Sequence, residues 1–148
     1  MRTSPLVSIF SHLMSAARRP KEIHFLYSTK VGSEVDPNRI LFLPRLMDLV
    51  SAAADPNVTL SLFLTDVCDG GVSEFERYPS NTFFRRIDEN DLMTAVDGYQ
   101  KSSSGPNQNR KNAVCYVCGP AKMTDEIVRF LKDQEGISGD RVLCEKWW

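Results

Sequence analysis

Short apolar runs, each followed by a polar turn and then by a stretch of helical spacing, constrain this chain more than any other feature. Residues 22–28 (Glu-Ile-His-Phe-Leu-Tyr-Ser), 58–65 (Val-Thr-Leu-Ser-Leu-Phe-Leu-Thr) and 113–118 (Ala-Val-Cys-Tyr-Val-Cys) are too short for helices and rich in β-branched and aromatic residues. They read as strands, as does the closing segment 141–147. Between them, Leu6, Val7, Ile9, Phe10, Leu13 and Met14 have helical spacing. So do Ile40, Leu43, Leu46, Met47, Leu49 and Val50, and later Met123, Ile127, Phe130 and Leu131. Strands alternating with helices predict an α/β fold, a parallel sheet flanked by helices. With 148 residues, one core is expected and two are not.

The punctuation supports these boundaries. Ser4 suits a helix N-cap and Pro5 the first helical position, where its missing N–H costs nothing. Arg18-Arg19-Pro20 should close that helix, and Pro44 should lie in the first turn of the next, which ends near Ala54. Asp55-Pro56-Asn57 is a stop. From 68 to 90 the chain reads as irregular, with turn signals at Gly70-Gly71 and Pro79-Ser80-Asn81. Residues 89–96 suggest a short helix capped by Asn90, and 101–112 form a low-complexity loop. Gly119-Pro120 reads as a turn with Pro120 opening the third long helix, which Gly136 closes.

Composition removes several function classes. Eighteen basic and 19 acidic residues leave a net charge of −1, so nothing favours nucleic acid or an anionic membrane. No apolar stretch approaches the roughly 18–20 residues of a membrane span. Residues 1–13 lack the apolar block of a signal peptide, and 1–19 read better as a packed helix than as a presequence. Cys68, Cys115, Cys118 and Cys144 are therefore expected to be free thiols in a reducing, intracellular compartment. Cys115 and Cys118 match C-x-x-C, but on a strand residues three apart face opposite sides, which disfavours a redox pair or zinc ligands.

Parallel sheets bind ligands beyond the carboxyl ends of their strands, beside helix N-termini. That rule selects Ser4-Pro5, Ser28-Thr29-Lys30, Asp66 with its following loop, and Cys118-Gly119-Pro120. There is no G-x-S-x-G, no P-loop and no G-x-G-x-x-G, and His12 and His24 sit where packing explains them. At Cys118-Gly119-Pro120, with Met123 behind it, backbone and sulfur can approach a planar ligand. A tight strand-to-helix turn holding a buried thiol is the other reading. The terminal Trp147-Trp148 pair calls for a contact, in a core or interface or against a flavin or nicotinamide.

Taken in order, several of these segments carry a family resemblance. They are Ser4-Pro5-Leu6, Leu26-Tyr-Ser-Thr29, Ile40-Leu-Phe-Leu-Pro-Arg-Leu46, Cys118-Gly-Pro-x-x-Met123 and Glu145-Lys-Trp-Trp148. The set resembles the C-terminal NAD(P)-binding domain of the ferredoxin-reductase-like flavoprotein family. Arg85-Arg86-Ile87 and the last four residues most resemble its oxidoreductase NAD-binding domain-containing branch. The resemblance covers most of the chain outside 67–82 and 98–112.

It implies a Rossmann-like parallel sheet and hydride transfer between a nicotinamide dinucleotide and FAD held on a separate barrel domain. By that resemblance Ser4 and Pro5 match the end of a pyrophosphate loop. Ser28, Thr29 and Lys30 lie beside the adenosine ribose, and Cys118, Gly119, Pro120 and Met123 beside the nicotinamide. Trp147 and Trp148 match the segment near the nicotinamide–flavin contact. The family's first strand and glycine loop would precede Leu6, yet Arg2 stands where a loop glycine is expected. The resemblance thus implies an N-terminally truncated domain without its central strand and without the flavin barrel. The edges at 22–28 and 113–118 are then unpaired or rearranged. It also suggests a mitochondrial location.

NAD is favoured over NADP by the branch, although no acid follows 22–28 before Glu34 and Lys30 would suit a 2′-phosphate. A flavin domain or an electron-acceptor protein is the expected partner. The alternatives are a non-catalytic nucleotide-binding or regulatory module and, less favoured, a dithiol at Cys115 and Cys118.

Overall fold

A computed structural model of the chain describes residues 4–32, 36–67, 75–98 and 110–147. Strand and helix alternate as α1 (Pro5–Ser15), β1 (Ile23–Lys30), α2 (Leu43–Ala53), β2 (Val58–Thr65), β3 (Asn81–Phe83), α3 (Glu89–Asp97), β4 (Cys115–Pro120), α4 (Ala121–Asp133) and β5 (Val142–Trp147). Every strand pairing is parallel. The architecture is α/β and Rossmann-like. The strands fall into two sheets, however, ordered β1-β2-β3 and β4-β5. Two compact units correspond to them, Val7–Ile87 and Asp88–Trp148, with residues 4–6 going to the second. No helix among the described residues is long and apolar enough to cross a membrane.

In the first unit the register sets Phe25 against Leu60 and Tyr27 against Leu62, so one face of the sheet is apolar. Val7 and Phe10 of α1 and Leu43 and Leu46 of α2 join Val58, Leu60, Leu62 and Leu64 in its core. The Phe10 and Phe25 rings meet at 5.3 Å, tilted by 59°. Ser61 and Phe63 are buried on the opposite face of β2, so this strand is covered on both sides. That is why its sequence is apolar almost throughout.

Several boundaries differ from expectation for identifiable reasons. Helix α1 stops at Ser15, before Arg18, because the Ser15 hydroxyl donates back to the Ser11 and His12 carbonyls at 3.2 and 3.0 Å. Arg19 instead pairs with Asp55 at 3.3 Å. Ile40 is buried but lies ahead of α2, which is entered through Phe42 at a φ of 65°. The Tyr27 hydroxyl, donating to the Leu41 carbonyl at 2.8 Å, pins that entry to the sheet. Pro44 sits in the first turn as expected. β3 arises inside the stretch read as irregular, paired only through Ser61, Leu62 and Phe63 of β2.

In the second unit Val117, Leu131, Ile137 and Val142 form the core, with Leu92, Val96, Ile127 and Phe130 against it. Asp88, not Asn90, caps α3. Its carboxylate accepts from the Asp91 N–H at 2.9 Å, and the Asp91 carboxylate accepts from the Asp88 N–H at 2.8 Å. Residues 110–112 are helical rather than loop. Arg110 holds that turn, donating to both Asp97 oxygens at 2.6 and 3.1 Å and to the Glu135 carbonyl at 3.0 Å. Arg141 falls in a 3-10 turn just before β5. Among the described residues β1 pairs only with β2, and β4 only with β5. The single sheet expected from alternation is therefore divided, because no described strand pairs with strands of both sheets.

Candidate functional site

Apart from Ser4 and Pro5, the residues singled out from sequence lie at or just beyond the carboxyl ends of strands, one cluster in each unit. In the first unit, Ser28, Thr29 and Lys30 are the last residues of β1, and Asp66 directly follows β2. Parallel register puts Lys30 opposite Thr65, one residue from Asp66. The Lys30 ammonium lies 3.7 Å from the Asp66 carboxylate, the side chains 78% and 68% exposed. An ion pair so wet adds little stability, which leaves both groups available to a ligand. Asp66 holds a φ of 57°, a left-handed conformation that asparagine and aspartate tolerate better than other side chains. That turn bends the chain at the strand's end. Burial pushes the Tyr27 phenol up from its ordinary range, while a hydrogen bond with Thr29 opposes the shift.

Sequence reasoning looked for an acid shortly after β1, where Glu34 lies outside the described residues. The acid beside Lys30 instead comes from the neighbouring strand. Only the register reveals it.

In the second unit, Cys118, Gly119 and Pro120 end β4, and Met123 lies in the first turn of α4. Pro120 is not the first helical residue. With φ −54° and ψ 145° it is extended, pairs in register with Trp147, and caps α4 without a side-chain bond. At a strand's last residue its missing N–H again costs nothing. Gly119 is buried, and a β-carbon built on it would overlap the Met123 methyl. The space that glycine opens is thus filled by Met123. Thr124, fully buried, donates its hydroxyl to the Gly119 carbonyl at 3.1 Å. Neither Thr124 nor Asp66's proximity to Lys30 follows from any motif. A buried threonine one turn beyond a Gly-Pro corner is the only hint the sequence offers.

Cys118 lies on the face of β4 opposite Val117 and Gly119, with Tyr116. Register places Leu143 and Trp147 on that same face. Tyr116, Leu143 and Trp147 are each more than 40% exposed, so the face opposite α4 presents aromatic and aliphatic surface. Burial pushes the Cys118 thiol up; the Trp147 indole N–H opposes this, and the Glu145 charge adds to it. Burial likewise raises Cys115. Both thiols are therefore protonated near neutrality, the opposite of an activated redox cysteine.

Ser4 and Pro5 stand at the start of α1 as expected, while Trp148 and Arg2 lie outside the described residues. His24 is satisfied at the other end of the strands, with Nδ1 2.7 Å from Thr59 Oγ1 and Nε2 3.0 Å from the Glu22 carboxylate. Among the described residues no group of three His, Cys, Asp or Glu side chains is arranged to hold a metal. An open cleft of about 330 Å³ between α1 and α2, lined by Met14, Leu49 and Ala53, holds none of the candidate residues. Its one cation, Arg19, is already paired with Asp55.

Fold and site together define a Rossmann-like α/β protein with its polar and turn-forming residues at the carboxyl ends of parallel strands, where this class binds ligands. The chain is similar to oxidoreductase NAD-binding domain-containing protein 1 of Danio rerio, 26% identical over 152 residues. The match covers 98% of this chain and 48% of that protein, so the chain spans about half the length of the curated relative it matches. No family model matches the chain.

Proposed function

We propose that this chain is the nicotinamide-dinucleotide-binding part of an oxidoreductase, serving hydride transfer between NAD(H) and a flavin on a separate domain. The observation that carries the reading is the corner at 118–124. There a neutral thiol, a side-chain-free backbone and a helix start without a side-chain cap converge beyond the end of β4. A planar ring fits against such a surface, and the free N–H groups of the first turn favour an anionic group nearby. The relative's name, which specifies an NAD-binding domain, supports the same ligand.

Within the first unit, Lys30 and Asp66 suit the adenosine ribose of a dinucleotide, the role that the family resemblance gives to the end of β1. A carboxylate accepts hydrogen bonds from free ribose hydroxyls and repels a 2′-phosphate, while Lys30 is partly neutralised by that same carboxylate. The pair therefore supports NAD over NADP. When bound, the nicotinamide and flavin carry the redox chemistry, two electrons and a proton passing as hydride from one ring to the other. Cys118 and Met123 orient and shield, and no proton donor is required of the chain. The exposed face of Tyr116, Leu143 and Trp147 suits an apolar partner surface such as a flavin-bearing domain.

Calorimetry of the full chain with NADH, NADPH and ADP-ribose tests the reading. NADH should bind more tightly than either NADPH or ADP-ribose, and supplying a flavin domain in trans should give NADH-dependent dye reduction. Binding without any such reduction would leave a non-catalytic nucleotide-binding module. Absence of binding by all three ligands would overturn the proposal.

A further inference from the structure

We infer that Thr124 is a positioning residue of this site, its hydroxyl locking the strand-to-helix corner that presents Cys118 and Met123 to the nicotinamide ring. The inference rests on the function proposed above. Thr124 is the fourth residue of α4 and has no exposed surface. A hydroxyl in such a place is costly unless bonded, and valine would fill the same volume without the cost. Here the hydroxyl is bonded, at 3.1 Å, to the carbonyl of Gly119.

On the strand side the corner is held by β5, with Gly119 opposite Lys146 and Pro120 opposite Trp147, but the helix side has no side-chain cap of its own. Pro120, the cap, has neither an N–H nor a side-chain oxygen, so no capping bond is made there. Gly119 lacks the β-carbon that would restrict its backbone. The Gly119–Pro120 peptide has no N–H, so its carbonyl alone bonds; the β5 ladder holds it from the strand side, and Thr124 ties it to the helix from inside α4. Two groups hang on this peptide, one from each face of β4. Cys118 precedes it directly, and the Met123 methyl packs on Gly119 itself. If the peptide rotates, thiol and thioether change their relation, and the surface offered to a planar ring changes with them. A ligand lacking that ring has no reason to sense the change.

The test compares Thr124→Val and Thr124→Ser in the full chain, by calorimetry with NADH and with ADP-ribose and by the NMR signal of the Met123 ε-methyl. Loss of one neutral hydrogen bond predicts NADH binding weakened by roughly three- to tenfold in Thr124→Val. ADP-ribose affinity should stay within about twofold, since ADP-ribose lacks the ring that Cys118 and Met123 would contact. The methyl signal should shift or broaden, and Thr124→Ser should behave as the parent on all counts. The inference is overturned if Thr124→Val binds NADH like the parent, or if both ligands weaken together. It also fails if Thr124→Ser loses NADH selectively, which would make the methyl group the determinant. A parent chain that binds NADH no better than ADP-ribose would defeat the nicotinamide reading and this inference with it. Discrimination preserved in both variants defeats the inference alone.

Discussion

At Gly119 the space a β-carbon would take is occupied by the Met123 methyl, the movable end of a flexible side chain. Side chains on a helix lean toward its N-terminus, so a long residue in the first turn folds back onto the corner that precedes it. The motif made Gly119 legible as a close-approach position but not its occupant. A ligand reaching this backbone must displace a flexible thioether rather than enter an open slot. Gly119→Ala should destabilise the chain by no more than about 1 kcal/mol, since the flexible Met123 thioether can move aside. In a Met123→Ala background most of that loss should disappear, and a double-mutant cycle in urea reads the coupling. Independent effects of the two substitutions would show that the methyl is not what excludes the side chain. The cap of α3 teaches a similar lesson. Asn90 and Asp88 are both good caps by residue type, and the reciprocal bonds between Asp88 and Asp91 decide between them.

Strand pairing dominates at the level of elements. β1 is bonded to β2 through its odd residues, as the Ile23 N–H to Asn57 carbonyl and Val31 N–H to Thr65 carbonyl bonds show, both at 2.9 Å. In a parallel ladder the even residues then direct their N–H groups away from β2. Among the described residues no strand bonds to that edge at Leu26 and Ser28, and β1 itself carries neither a proline nor a bulge there, the devices that usually guard an exposed strand. Their amides should exchange hydrogen markedly faster than those of Phe25 and Tyr27, measured residue by residue by NMR. Equal protection along β1 would mean that the edge is covered in solution. β3 was not legible because Asn-Thr-Phe has little strand character of its own. It is a strand only because β2 offers a bonding edge beside it. The end of α1 was misplaced because the basic pair Arg18-Arg19 outweighed the hydroxyl of Ser15, which terminates the helix locally.

For the molecule as a whole, the half-buried thiols and phenol set an alkaline limit. Burial raises Cys115 and Cys118 above an ordinary value of 9.0, and Tyr27 above 10.0. The protonated forms are thus favoured in the folded chain. Their contribution is complete below the ordinary thiol pKa and is lost as pH rises through the raised values, where the unfolded chain binds fewer protons. The urea midpoint should be flat between about pH 7 and 8 and fall by pH 10, less steeply in Cys115→Ala. A midpoint unchanged at pH 10 would contradict the burial of these groups. The same protonation weighs against a dithiol function, which needs a thiolate at neutral pH.

Much of this was already determined by sequence. Alternating apolar runs require parallel strands and covering helices, since each pattern hides its apolar side only in that arrangement. Pro5 and Pro44, within runs of helical spacing, had to lie in a first turn, because deeper in a helix a ring without an N–H breaks the bonding. The places where a ligand could bind followed from the same logic, as carboxyl ends of strands. Tertiary structure alone decided what meets at those ends. Asp66 faces Lys30, 36 residues earlier, because parallel register aligns the ends of β1 and β2. Thr124 ties down Gly119 because α4 folds back against β4. Division into two sheets was likewise a tertiary outcome. A strand's pattern states which faces it buries, while hydrogen bonding along its edges depends on which neighbours are present to accept it.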